Sequence, residues 1–441
     1  RLTGTNGALI DAISYGAQST DVSQGRLPDG GANSVAFPGS DSPEAPNHLL
    51  IAGIVINEVV PDLELFNAGA SSVDISGWWL SDDPAALQKY QIPTTPPLAS
   101  GAYWWVDGSQ LPFQLRQDLG GVVILSHGGT NQTSAKFGPY DGHSYGTVPT
   151  SAGVNFVRLS ALTFGAANAA PQVGPVVISE VQYHPPDLPG DNDDYEYIEL
   201  ANISGGVADL FLAGFPGIPW RLRDAVSFTF PPNTTLSDGE RVLVLGFDPV
   251  TNAVALSNFL VVHGVPANVR LFGPYSGKLD NAGDSVELVE DRLAITTPGA
   301  DYGKVPQILI DRVNFSDGLP WPSGADGLGP SLQRATLSAY GNEPTNWFAN
   351  GATPGRANGT NAPPTVALSA PVDGAIIGFG PPITLAATVG DTDGAVGLVE
   401  FFADGIEVGF SFGPAFSIAW SNAPPGAHTL TARATDDRLG R

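Results

Sequence analysis

Hydrophobic and polar positions alternate along most of this chain, in short runs separated by Gly, Pro, Asn and Asp. A period of two predicts β-strands with one face covered and the other wet. Two stretches show it best. Residues 54–67 read IVINEVVPDLELFN, and residues 176–204 read VVISEVQYHPPDLPGDNDDYEYIELANIS. Each opens on a β-branched run ending in a polar residue, Glu and Val: Asn57-Glu58-Val59 and Ser179-Glu180-Val181. Each closes on an acidic-aliphatic strand ending in Asn: Glu64-Leu65-Phe66-Asn67 and Glu199-Leu200-Ala201-Asn202. The second stretch inserts an acidic loop over 187–196. A pattern that recurs with an optional insertion marks a repeated module.

The chain divides accordingly. Residues 49–168 and 173–358 read as two modules, closing on 163–168 (TFGAAN) and 353–358 (TPGRAN). Residues 1–47 end on a related phrase at Asn47 and read as the closing part of a third, with a strand over 8–16 and a turn over 23–28. A piece of 47 residues is too short to bury a core alone, so it is expected to lie in a sheet of a neighbouring module or another chain. A Gly/Asn/Pro linker over 359–364 leads to 365–441, where strands are predicted over 365–368, 383–388, 396–403, 416–420 and 428–434. Their spacing suits an immunoglobulin-like sandwich, here lacking its last strand. No window of 10–15 residues shows helical periodicity.

Composition sharpens the class. Among 441 residues, 42% are hydrophobic, enough for several cores, and 54 Gly with 39 Pro favour turns over helices. No apolar run reaches the ~18 residues of a membrane span. A net charge of −25 argues against binding a nucleic-acid backbone, which requires clustered Lys and Arg. The absence of Cys removes disulfides and thiolate metal sites. The expected fold is all-β, with tandem immunoglobulin-like sandwiches.

The three modules resemble the lamin-tail domain of secreted bacterial proteins. The resemblance rests on Ile56-Asn57-Glu58-Val59, Glu196-Tyr197-Ile198-Glu199-Leu200-Ala201-Asn202, Asp74-Ile75-Ser76-Gly77-Trp78, Gly277-Lys278-Leu279-Asp280-Asn281-Ala282-Gly283-Asp284 and Trp321-Pro322. The last segment resembles a bacterial immunoglobulin-like domain through Asp391-Thr392-Asp393-Gly394, Val399-Glu400-Phe401 and Gly426-Ala427-His428-Thr429-Leu430. Together these resemblances imply an extracellular or cell-surface bacterial protein without catalytic residues. It would serve as a spacer, surface-layer or filament component, partnered by itself or by other surface proteins. The rival reading is an accessory region of a larger secreted hydrolase that binds substrate or polysaccharide.

Candidate chemistry is sparse. Gly142-His143-Ser144-Tyr145-Gly146 matches G-x-S-x-G, but no helix is predicted after it, so it reads as a turn entering a strand. Asp187, Asp191, Asp193, Asp194 and Glu196 offer the hard oxygen ligands that Ca²⁺ requires, as do Asp391 and Asp393. A solvated loop is the alternative for both sets. Trp78-Trp79 and Trp104-Trp105 offer a carbohydrate platform, although strand neighbours face opposite ways, leaving one of each pair for the core. The six His show no metal-ligand spacing.

Overall fold

The computed structural model describes every residue except 1, 14, 16, 21, 41, 43–45, 186–191, 328, 360–363, 379, 392–395, 414, 422 and 437–441. These residues form two compact units. One comprises 1–149, 154–172 and 294–307; the other comprises 150–153, 173–293 and 308–441. Both are built from β-sheets, and the protein is all-β.

The first unit opens with two hairpins. β1 (Leu2–Thr3) pairs with β2 (Leu9–Asp11), and β3 (Val22–Arg26) pairs with β4 (Ser34–Pro38). Among the described residues neither hairpin joins another sheet, so the expected placement of 1–47 in a neighbour's sheet is not found. Residues 23–26 do not turn. They pair across to β4, from Ser23↔Phe37 to Arg26↔Ser34, and the reversal comes later, where Gly31 N donates to Pro28 O. The cross-strand ladder outweighs the local turn preference of Ser, Gln and Gly.

The strands that follow are β5 (Leu49–Leu50), β6 (Ile54–Val59), β7 (Leu63–Asn67), β8 (Trp79–Ser81) and β9 (Tyr90–Gln91). After them come β10 (Tyr103–Val106), β11 (Gly121–His127), β12 (Asn131–Phe137), β13 (Tyr145–Thr150) and β14 (Gly153–Arg158). They form two five-stranded sheets, ordered β10-β7-β6-β13-β14 and β5-β12-β11-β8-β9. Ile54, Leu63, Leu65, Leu80, Val123 and Leu125 make the shared core. Residues 74–77 are a turn rather than strand: Asp74 accepts from Ser76 N at 2.9 Å and competes with sheet pairing.

The second unit begins with β15 (Val176–Gln182), β16 (Tyr197–Asn202), β17 (Ala208–Asp209), β18 (Phe211–Leu212) and β19 (Phe215–Pro219). Next come β20 (Arg221–Asp224), β21 (Val226–Thr229), β22 (Thr235–Leu236), β23 (Arg241–Leu245) and one helix, α1 (Ala253–His263). β24 (Arg270–Phe272), β25 (Ser276–Gly277), β26 (Gly283–Asp291), β27 (Gln307–Ser316), β28 (Pro330–Arg334) and β29 (Trp347–Gly351) complete the sandwich. A six-stranded sheet, β24-β23-β16-β15-β28-β29, packs on a five-stranded one, β25-β21-β20-β26-β27, through Val176, Ile198, Leu222, Leu288 and Trp347.

Helix α1 was not expected. Its sequence, AVALSNFLVVH, is apolar on nearly every side and rich in β-branched residues, so it shows no helical period. Capping specifies it instead. Asn252 accepts from Ala255 N, and Gly264, left-handed at φ 58°, returns its N–H to Leu260 O. Ala255 and Phe259, one turn apart, are buried against Tyr197, Leu243 and Leu245.

The last sandwich holds β30 (Thr365–Ala370), β31 (Ile383–Gly390), β32 (Val396–Ala403), β33 (Ile406–Phe412), β34 (Ser417–Trp420) and β35 (Leu430–Asp436). Its sheets are ordered β30-β31-β34 and β33-β32-β35, and Leu385, Val399, Phe401 and Trp420 lie between them. β33, absent from the sequence reading, follows a tight turn in which Asp404 (φ 51°) and Gly405 (φ 81°) are both left-handed.

Candidate functional site

The strand pairs singled out by their sequence, β6/β7 and β15/β16, are not half-buried. Glu58, Glu64, Glu180 and Glu199 are all 0% exposed. Their polar face is covered by the closing phrase of the same module, which explains the departure from the expected wet face. A bulge at Asn57 and another at Ser179 let the ladder pair Glu58 with Glu64 and Glu180 with Glu199 directly across the strands. Two carboxyl groups thus face each other inside each sandwich, an arrangement that costs stability unless donors surround it.

A serine hydroxyl, a threonine and a glycine N–H recur as donors in both copies. Glu58 accepts from the Ser144 hydroxyl, from Thr163 N at 3.0 Å and from Thr163 Oγ1 at 2.7 Å. Glu180 accepts from the Ser331 hydroxyl, from Thr353 N at 2.8 Å and from Thr353 Oγ1 at 3.0 Å, with Tyr197 Oη adding a bond of 2.6 Å. The second carboxylate of each pair takes the backbone N–H two residues on, Gly165 for Glu64 and Gly355 for Glu199. Asn57 Nδ2 completes Glu64 at 2.7 Å, whereas Ser179 Oγ and Arg241 Nη1 complete Glu199, both at 2.6 Å.

The terminal Asn of each phrase locks the loop down. Asn168 Nδ2 donates to Thr147 O at 2.9 Å and to Asn57 O at 3.1 Å. Asn358 Nδ2 donates to Arg334 O and Ser179 O, both at 2.8 Å. The Asn that ends each acidic strand also binds inward: Asn67 Nδ2 donates to Leu98 O, and Asn202 Nδ2 donates to Leu236 O. Ser144, Thr163, Gly165 and their counterparts were not recognised from sequence as one set. Their fixed order before a terminal Asn was the available signal.

Burial shifts these acids. Desolvation raises Glu64, with the Glu58 charge adding to it and the bonds from Gly165 and Asn57 opposing it. Desolvation raises Glu180 too, and it pushes Glu199 up to about 7 with help from the Glu180 charge. At pH 7 Glu199 therefore keeps its proton part of the time, where a solvated carboxyl would have lost it.

The G-x-S-x-G serine is part of this latch. Ser144 is fully buried with its hydroxyl on Glu58, and strand β13 follows it directly; His143 turns instead to Asp141, at 3.0 Å. A groove lined by Asp62, Asp107, Ser109, Phe113, Arg116 and Asp118 has no histidine among its lining residues.

The expected calcium ligands are described only in part. Asp187, Asp191 and Asp393 lie outside the described residues. Asp193 pairs with Lys278 at 2.7 Å, and Asp194 sits beside it on a short 3₁₀ turn. Glu196 points inward to Tyr275 Oη at 3.0 Å, and desolvation pushes it up to about 8. Asp391 is the one described residue of its set, and no group of three potential ligands occurs among the described residues. Of the tryptophans, Trp78 is buried, Trp79 and Trp104 are intermediate, and Trp105 is 50% exposed.

In the last sandwich, His428 lies edge-on to Trp420 and bonds Asp404 at 2.7 Å, which raises its pKa. The two three-stranded sheets and their single Trp-centred core are what a family comparison meets here. Residues 364–432 match the bacterial Ig domain family (Big_7). The Ig domain spans β30 to β34 and the start of β35. Such domains are common in surface and extracellular proteins. Neither the curated proteins nor the solved structures contain a match to the chain.

Proposed function

We propose that this chain is a non-enzymatic structural or adhesive array of an extracellular bacterial protein, in which lamin-tail-like sandwiches precede the Ig domain. One observation carries the reading. The most chemically distinctive groups, two carboxyl pairs, have their oxygens engaged by donors of the same module. Carboxyls that are buried and bonded in this way serve cohesion rather than substrate chemistry. The reading extends to calcium as an optional ligand of the 187–194 carboxylates and to partners that are surface proteins or copies of the chain.

The rival, an accessory region that binds polysaccharide, has Trp105 in its favour, since a half-exposed indole suits stacking on a sugar ring. Retention of the purified chain on insoluble cell-wall polysaccharides decides between them. The array reading expects elution with the void, for wild type and Trp105→Ala alike. Retention abolished by Trp105→Ala would establish the rival.

A further inference from the structure

The hairpin β3/β4 repeats the arrangement of β13/β14 and β28/β29 with one part missing. In the two later copies the first strand of the hairpin pairs with an acid-bearing strand, β13 with β6 and β28 with β15. Its serine is then fully buried on a glutamate: Ser144 on Glu58 and Ser331 on Glu180. Ser23 holds the same place in β3, two residues before Gly25 as Ser144 is before Gly146, yet Ser23 is exposed and, among the described residues, β3 pairs only with β4.

The surrounding parts are already set. Asn47 Nδ2 donates to Arg26 O at 2.9 Å, as Asn168 does to Thr147 O and Asn358 to Arg334 O. Gly25 approaches the Asn47 amide just as Gly146 approaches that of Asn168, with a built Cβ at 2.9 and 2.8 Å. Ser42 stands five residues before Asn47, where Thr163 and Thr353 stand before their own asparagines. Arg26 binds Asp11 as Arg334 binds Asp311, and the Leu9-Ile10-Asp11 run matches Leu309-Ile310-Asp311. The apolar side chains at matching places differ in fate. Ile310 and Val313 are buried at 9% and 0%, whereas Ile10 and Ile13 are 64% and 41% exposed.

We infer that the free edge of β3 is a docking surface for a β-hairpin of the acid type, a strand bearing Asn/Ser-Glu-Val joined to one bearing Glu-aliphatic-x-Asn. The incoming strand runs antiparallel to β3 and places its first Glu on the Ser23 and Ser42 hydroxyls, and its flanking aliphatic residues cover Ile10 and Ile13. Main-chain pairing along the edge supplies affinity, and the serine–glutamate contact supplies the register.

The test adds to the full chain a synthetic peptide copying residues 52–69, or joins the same segment ahead of residue 1 through a Gly/Ser linker, which raises its effective concentration to the millimolar range. Hydrogen exchange is read over 22–26. At least tenfold slower exchange is expected with the native segment, with most of that protection lost on Ser23→Val or when both glutamates of the segment are leucine. Unchanged exchange with the linked segment overturns the inference, as does equal protection by the leucine version. Protection that arises in the unmixed chain together with dimers in sedimentation assigns the edge to a second copy and overturns it as well.

Discussion

Replacing Glu180 with leucine removes the acceptor at the centre of the second latch, and its cost follows from the donors left behind. Ser331 Oγ has a second acceptor within reach, Asn350 O at 3.5 Å, and Tyr197 Oη also bonds the Ser331 hydroxyl. Among the described residues Thr353 N and Thr353 Oγ1 have no acceptor besides Glu180. Each orphaned buried donor costs about 1–3 kcal/mol, or about 2–6 kcal/mol for the two. Relief of the Glu199 carboxyl, which Glu180 holds up, offsets part of this. A net loss of about 2–5 kcal/mol is expected. Glu180→Gln keeps one acceptor oxygen and costs less, about 1–3 kcal/mol. Urea titration of the full chain, read by pulsed hydrogen exchange, reports the two units separately. The transition of 173–293 should move to lower urea while that of 54–149 stays in place, and Glu58→Leu should do the reverse. A second readout is specific to the pairing: Glu199 titrates closer to an ordinary carboxyl in either Glu180 variant. A loss below ~0.5 kcal/mol, or an unmoved Glu199 titration, would refute the latch.

The remaining predictions concern pH, the serine and calcium. Glu196 and Glu199 are raised in the folded chain to about 8 and about 7, so the native state holds protons that the unfolded chain releases above its own, lower values. Their contribution is complete below pH ~4.5 and is lost as pH rises through 7 and 8. Buried His263, lowered to about 4, acts in the opposite sense, but only below its unfolded value near 6.5. Between pH 6.5 and 8 the second unit should therefore weaken by up to about 1.4 kcal/mol per pH unit for each carboxyl, and Glu196→Gln should flatten the slope in thermal melts. Ser144→Ala should lower the stability of the first unit by about 1–3 kcal/mol and leave ester hydrolysis at the level of buffer; turnover lost with that substitution would reinstate the nucleophile. Calcium titrations followed by melting temperature should superimpose for wild type and Glu196→Gln, because the Glu196 carboxyl is turned to Tyr275, and a divergence would return it to the ligand set.

Much of this architecture was legible, and what escaped has physical causes. Alternation located β6, β7, β15 and β16, and the Asn-ended phrases pointed to 163–168 and 353–358. Alternation cannot say what covers the polar face. Glu58 reads as solvated because most strand glutamates are, and only the recurrence of Thr-x-Gly-x-x-Asn hinted at a buried partner. Helix α1 escaped because its packing comes from one turn, Ala255 and Phe259, while apolar residues elsewhere blur the period; Asn252 and Gly264 were the usable signs. β33 was marked by Asp404-Gly405, a hairpin signal lost among many Asp and Gly. Residues 23–26 read as a turn because turn-forming residue types do not reveal a pairing partner further along, at 34–37.

The latch also joins the two ends of a module. Asn57 and Asn168 lie 111 residues apart in sequence and touch, as do Ser179 and Asn358, 179 apart. Tension applied to the chain at either end of a module therefore crosses it by a short route, through the first strand and the closing phrase. The sandwich between carries little of the load. A cord of such modules would yield first at its serine–glutamate and asparagine clasps, each releasing a long reserve of slack only after they part. Acidity in the interior would then set mechanical threshold rather than chemistry, and protonation would be the variable that tunes it.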